Sequence, residues 1–117
     1  VFNMRTDDNQ LDEGRIQELR DDALDTGALA TMSRFFAMFA DPTRLRILWA
    51  LAAEDELCVN ELSLVLGMTT SAVSHQLRVL RDLNLIKGRR EGKNMFYSLC
   101  DHHVRIVLEM ALEHVRE

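Results

Sequence analysis

The chain has 117 residues and is 47% hydrophobic, yet it contains no apolar run near the roughly 18 residues of a membrane span. That length suits one domain with a real core and is small for an enzyme with a deep pocket. Its net charge of −5 looks unsuited to nucleic acid, but the charge is unevenly spread: residues 1–27 hold eight acids against three arginines, and residues 69–99 hold six cations against two acids.

The two cysteines, Cys58 and Cys100, form neither a C-x-x-C pair nor a disulfide framework. No secretory signal pattern opens the sequence, so a cytoplasmic location is expected. Residues 1–10 are polar and expected to fray. Ile16, Leu19 and Ala23 suggest a short amphipathic helix from Leu11 to about Leu24, weakened by Gly14. After Gly27, the stripe Leu29, Met32, Phe36 and Phe39 predicts a stronger helix whose apolar side is core or dimer interface. Residues 1–27 are thus read as an acidic arm and residues 28–117 as one domain.

Asp41-Pro42 is a helix start: a capping residue, then proline at the first helical position. The helix PTRLRILWALAA is expected to bury Leu45, Leu48 and Ala52. Leu57-Cys58-Val59 reads as an apolar link, with Cys58 a buried small apolar residue. Asn60 is placed to cap a helix from Glu61 to Leu66, which Gly67 ends. Thr69 is placed to cap the next, TSAVSHQLRVLRDL. Val73, Leu77 and Leu80 form its buried face, while Ser71, Ser74, His75 and Arg78 form the opposite one. Two helices joined by a tight turn, the second with a small-polar and basic outer face, match the helix-turn-helix plan over about residues 60–83.

Asn84 is expected to close that helix. LIKGRR and KNMFYSL then flank Glu91-Gly92 as a two-stranded hairpin over about residues 85–99. Arg89, Arg90 and Lys93 cluster near its tip, which makes it a wing able to touch phosphates. On the second helix Thr70, Ser71, Ser74, His75 and Gln76 are the candidate contacts to bases or phosphates, with Arg78 a phosphate clamp. Gln76 could read adenine or could cap or pack, and His75 could equally be a structural histidine.

The last stretch, Asp101 to Glu117, predicts a helix capped by Asp101. His103, Val107, Met110, His114 and Glu117 fall on one stripe. His103 and His114 lie about 16 Å apart along the axis, whereas a zinc–nitrogen bond is about 2 Å. One helix cannot bring both histidines to one ion. Two copies packed antiparallel can, and a two-fold axis then makes two sites, each with Asp101 and His103 from one chain and His114 and Glu117 from the other. A plain packing seam is the competing reading. Such ligands favour Zn²⁺ or Co²⁺ over a thiophilic ion, with Cd²⁺ a further candidate. Four protein ligands leave no open position for water, so hydrolysis is not expected.

Phe39-Ala-Asp-Pro-Thr-Arg-Leu-Arg-Ile-Leu48, Glu56-Leu-Cys-Val59, Ser71-Ala-Val-Ser-His-Gln-Leu-Arg78 and the Asp101–Glu117 helix together resemble the ArsR/SmtB metalloregulatory repressors, over roughly residues 28–117. The resemblance implies a mainly α winged helix with a small β-hairpin, dimeric through its N- and C-terminal helices. It implies an apo form that binds operator DNA and represses genes for metal efflux or sequestration, with metal weakening that complex. Asp101, His103, His114 and Glu117 match the ligand pattern of the zinc-sensing branch. Other branches use a cysteine-rich site near the first helix of the helix-turn-helix. Here Cys58 matches, but Asn60 stands where a second cysteine is found, and residues 1–27 contain neither Cys nor His. The alternative function is a winged-helix regulator answering a non-metal signal. Neither a membrane nor a small-molecule substrate is expected as a partner.

Overall fold

The computed structural model describes residues 9–117. The expected frayed start falls mostly on residues 1–8, which lie outside the described residues. The first helix, α1 (Glu13–Asp21), begins where Asp12 accepts the Arg15 N–H at 2.8 Å. It is shorter than expected and buries no residue. The second, α2 (Thr26–Met38), begins where the Asp25 carboxylate accepts the Ala28 N–H at 2.7 Å. The chain separates into two compact units after Ser33. The expected apolar stripe divides accordingly: Leu29 and Met32 of the first unit are exposed, while in the second Phe35, Met38 and Phe39 pack against the core and Phe36 stays outside.

In the second unit α3 (Pro42–Ala53) starts as expected, with Asp41 accepting the Arg44 N–H at 2.9 Å. Its buried face is Ile47, Leu48 and Leu51; Leu45 is half-exposed, so the expected inner face is rotated by about one position. The segment read as a link is a strand, β1 (Leu57–Cys58). The helix after it, α4 (Val59–Leu66), begins one residue before Asn60, with Cys58 in the capping position. Asn60 therefore does not cap it. Instead the Glu61 carboxylate reaches back to the Cys58 N–H at 3.0 Å, which satisfies one of the free donors of the first turn. Cys58 is half-buried rather than a core residue.

Gly67, with φ +65°, ends α4 in the left-handed conformation that glycine adopts without steric cost. Two residues later Thr69 caps α5 (Thr70–Asp82) by accepting the Ala72 N–H at 3.1 Å. Val73, Leu77 and Leu80 are buried as the periodicity requires. Asn84 follows in the left-handed region, and the chain enters β2 (Ile86–Glu91), turns at Gly92 and returns as β3 (Asn94–Leu99). The sheet has the order β1-β3-β2, all antiparallel. It is thus three-stranded rather than a lone hairpin. Two residues are too short a strand to show a periodicity, which is why β1 reads as a link in sequence.

The last helix is α6 (His102–Val115), capped by Asp101. It buries Val104 and Leu108 against a core that also includes Ile47, Leu48, Leu51, Leu62, Leu77 and Leu80. No described helix is long and apolar enough to cross a membrane. Leu77 is fully enclosed and Leu64 is 83% exposed. Leu77→Ala should cost about 2–5 kcal/mol in urea unfolding, through lost burial and a residual cavity. Leu64→Ala should change stability by less than about 0.5 kcal/mol in the same measurement.

Candidate nucleic-acid interface and metal-ligand helix

The inner face of α5 is fixed by Val73, Leu77 and Leu80, so Thr70, Ser71, His75 and Arg78 are left exposed and Ser74 half-exposed. These are the small-polar and basic residues expected to face DNA. Gln76 stands apart from them. Its side-chain oxygen accepts the Arg44 Nε–H at 3.1 Å, and the same guanidinium lies 3.6 Å from the Met38 sulfur. Reading adenine with two hydrogen bonds needs both the amide oxygen and the amide nitrogen of a glutamine. Here the oxygen is already turned to α3. Arg44 escapes sequence reading because its partner lies 32 residues away. Arg46 likewise donates to the Leu66 carbonyl at 3.0 Å, tying α3 to the end of α4.

On the wing, Arg90 and Lys93 are exposed and make no ion pair among the described residues. Arg89 differs. Its Nε and Nη2 donate to the two oxygens of Glu56 at 3.0 and 2.9 Å. Its Nη1 donates to Glu91 at 2.8 Å. The hydrogen bonds from Arg89 hold the Glu56 carboxyl below the usual carboxylate range.

On α6 the four expected ligands fall into two pairs. At the start, Asp101 Oδ1 accepts the His103 and Val104 N–H groups at 2.9 and 3.3 Å, and His103 Nδ1 lies 3.6 Å from the same oxygen. At the end, His114 Nδ1 lies 3.9 Å from Glu117 Oε2. All four side chains are mostly exposed. No three metal-ligating side chains converge among the described residues of a single chain. The Val104 N–H above all, with the His103 N–H and imidazole beside it, holds the Asp101 carboxyl below its ordinary range. A carboxylate kept ionised, with Oδ2 unused by the cap, suits a hard or borderline cation.

α6 is anchored by Arg105, which donates to the Ala52 carbonyl near the end of α3 and lies 3.7 Å from Asp55. Beside α6 runs an apolar groove of about 760 Å³, lined among others by Phe36, Trp49, Val107, Ala111 and Val115. Trp49, Met110 and Val115 are 43%, 61% and 74% exposed. Exposed apolar side chains beside an apolar groove make this face a candidate interaction surface.

Helix-turn-helix, three-stranded wing and exposed polar α5 face define a winged-helix DNA-binding regulator. The model of the bacterial regulatory protein, arsR family, matches residues 41–87. A transcriptional repressor SmtB homolog from Synechocystis is 40% identical over 103 residues, covering 88% of this chain and 77% of its own. The crystal structure of the AntR antimony-specific transcriptional repressor superposes with a TM-score of 0.74 at 35% identity, covering 81% of this chain and 86% of that one. The homodimeric winged helix-turn-helix domain of a possible ArsR-family regulator from Mycobacterium bovis gives 0.73 at 26% identity, covering 82% and 90%. The chain belongs to the arsR family of bacterial transcription regulators, which are DNA-binding proteins and not enzymes.

The capping duty of Asp101 can be tested by itself. Asp101→Asn keeps a capping oxygen, whereas Asp101→Ala removes it. In metal-free protein the alanine variant should melt at a lower temperature than the asparagine one. The carboxyl's affinity for protons is lowered in the folded state, so its contribution to stability is complete at neutral pH. That contribution is lost as pH falls through the depressed value, and the difference in melting temperature between wild type and Asp101→Ala should shrink there.

Proposed function

We propose that the chain is a metal-responsive repressor whose dimer holds operator DNA until Zn²⁺ binds between the two α6 helices. The observation that carries this is the pairing on α6. Two half-sites stand at opposite ends of one helix, beside an apolar groove open to solvent. A second copy of this chain in the groove, with α6 antiparallel to its mate, covers Trp49 and Val115 and completes both sites together. Asp101 and His103 of one subunit would then share an ion with His114 and Glu117 of the other. Co²⁺ suits the same donors; Cd²⁺ is a weaker candidate, because no thiolate belongs to the set. The antimony specificity of AntR supports metal or metalloid response as a property found in this fold. The work of such a regulator is in the cytoplasm, where its operator is.

Metal cannot weaken DNA binding by charge, since added cations strengthen attraction to phosphate. Geometry remains. Two recognition helices must meet successive major grooves at a fixed spacing, and the dimer axis sets that spacing. The helix α3 joins the two ends of the mechanism: Arg105 of α6 grips its C-terminal end at Ala52, and Arg44 at its N-terminal end grips Gln76 of α5. A shift of α6 is thereby passed to α5 through one rigid element. Thr70, Ser71, Ser74, His75 and Arg78 face the major groove in this reading, with Arg90 and Lys93 on flanking phosphates.

Zinc titrated into the protein–operator complex should release DNA, with a coupling of about 1–3 kcal/mol, or roughly 5- to 150-fold in affinity. DNA must lower zinc affinity by the same factor. His114→Ala should bind operator normally and show no zinc response. A variant that still responds would assign the signal to something other than this metal site.

A further inference from the structure

Arg89 has the position of a phosphate contact and the surroundings of a structural one. Side chains alternate across a strand, so Lys87, Arg89 and Glu91 share one face of β2 while Ile86, Gly88 and Arg90 share the other. The second face is the one turned to the core and to α5: Ile86 is buried, and a Cβ on Gly88 would lie 3.5 Å from Arg81 of α5. Arg90 therefore continues the recognition-helix side of the sheet, and Arg89 stands on the reverse side. There it faces Phe96 across the β2–β3 register, and Cys58 faces Phe96 from β1. The Arg89 guanidinium lies over the Phe96 ring, 5.3 Å from its centre. Glu56, which takes two of its nitrogens, immediately precedes β1, and Glu91, which takes the third, ends β2.

We propose that Arg89 is a positioning residue: a latch that ties the outer strand of the wing to Glu56, the residue leading into β1, so that Arg90 and Lys93 are carried at a fixed place beside α5. This rests on the reading of the wing as a DNA contact. An isolated exposed ion pair contributes little. Here, however, one planar cation makes a two-pronged contact with one carboxylate, a third bond with another and a stacking contact with a ring. Every nitrogen of the guanidinium is engaged. A phosphate approaching this face would meet two cations, Lys87 and Arg89, and two carboxylates, Glu56 and Glu91, with no net positive charge. The latch also spans all three strands, whereas the β2–β3 ladder alone joins only two.

The test measures binding of a mixed-sequence DNA duplex by the full-length dimer at several salt concentrations, beside amide hydrogen exchange of the free protein. Each lost phosphate contact should flatten the salt slope by about 0.9, so roughly 1.8 for both wings. Arg90→Gln should show that flattening. Arg89→Gln should weaken binding several-fold at an unchanged slope. Glu56→Gln should also weaken it, although it removes an anion, and the double variant should be no worse than the weaker single one. Amides of β2 and β3 should exchange faster in both single variants. The latch is overturned if Arg89→Gln flattens the slope as much as Arg90→Gln, if Glu56→Gln tightens binding, or if hairpin exchange is unchanged. Should Arg90→Gln and Lys93→Gln both leave the slope intact, the wing is off the DNA and the proposal fails through that premise, while faster hairpin exchange would still report the latch itself.

Discussion

The packing of α5 against α3 and α4 governs everything else in the DNA-binding unit. Val73, Leu77 and Leu80 are enclosed together with Ile47, Leu48, Leu51 and Leu62. Burying those side chains removes apolar area from water, worth about 1.5–3 kcal/mol each. Because a helix has one rotational setting that buries i, i+4 and i+7 together, that packing also decides which residues point outward. The polar face of α5 is the remainder left by its core face. Gly67 and the Thr69 cap set the turn that brings α4 and α5 to this packing.

Around that core the cations are used in two different ways. Arg44, Arg46 and Arg105 reach across to neighbouring elements and end on a side-chain amide or on helix-terminal carbonyls. Such bonds satisfy acceptors that a helix end leaves open, and they hold α3 to α4, α5 and α6. Arg78, Arg90 and Lys93 carry no such burden and keep their charge toward solvent. The local basic surplus of residues 69–99 is therefore smaller in effect than its formal count, since Arg89 is neutralised within the fold.

The last helix, α6, shows a different economy. The N-cap that starts α6 and the candidate ligand at its first turn are the same carboxylate, so helix formation and the ionisation state needed for a cation reinforce each other. At the other end His114 and Glu117 sit one turn apart. Neither end is a site by itself. In the proposed dimer a symmetric second subunit would bring unlike ends together, which a single chain along one straight helix cannot do.

Much of this was legible from residue order. The spacing of Val73, Leu77 and Leu80, the Asp41-Pro42, Thr69 and Asp101 starts and the Gly67 stop are local patterns, and local patterns follow from helix geometry. What the order of residues does not carry is contact between distant segments. The strand β1 exists because Leu57 and Cys58 meet Tyr97 and Phe96. The rotation of α3 toward Ile47 and Leu51 depends on what surrounds it. Arg89 finds Glu56, 33 residues earlier, only once the sheet has closed. A charged side chain reads alike in sequence whether it ends in water or in an ion pair; three-dimensional packing decides between the two, because it alone sets which opposite charge comes within reach.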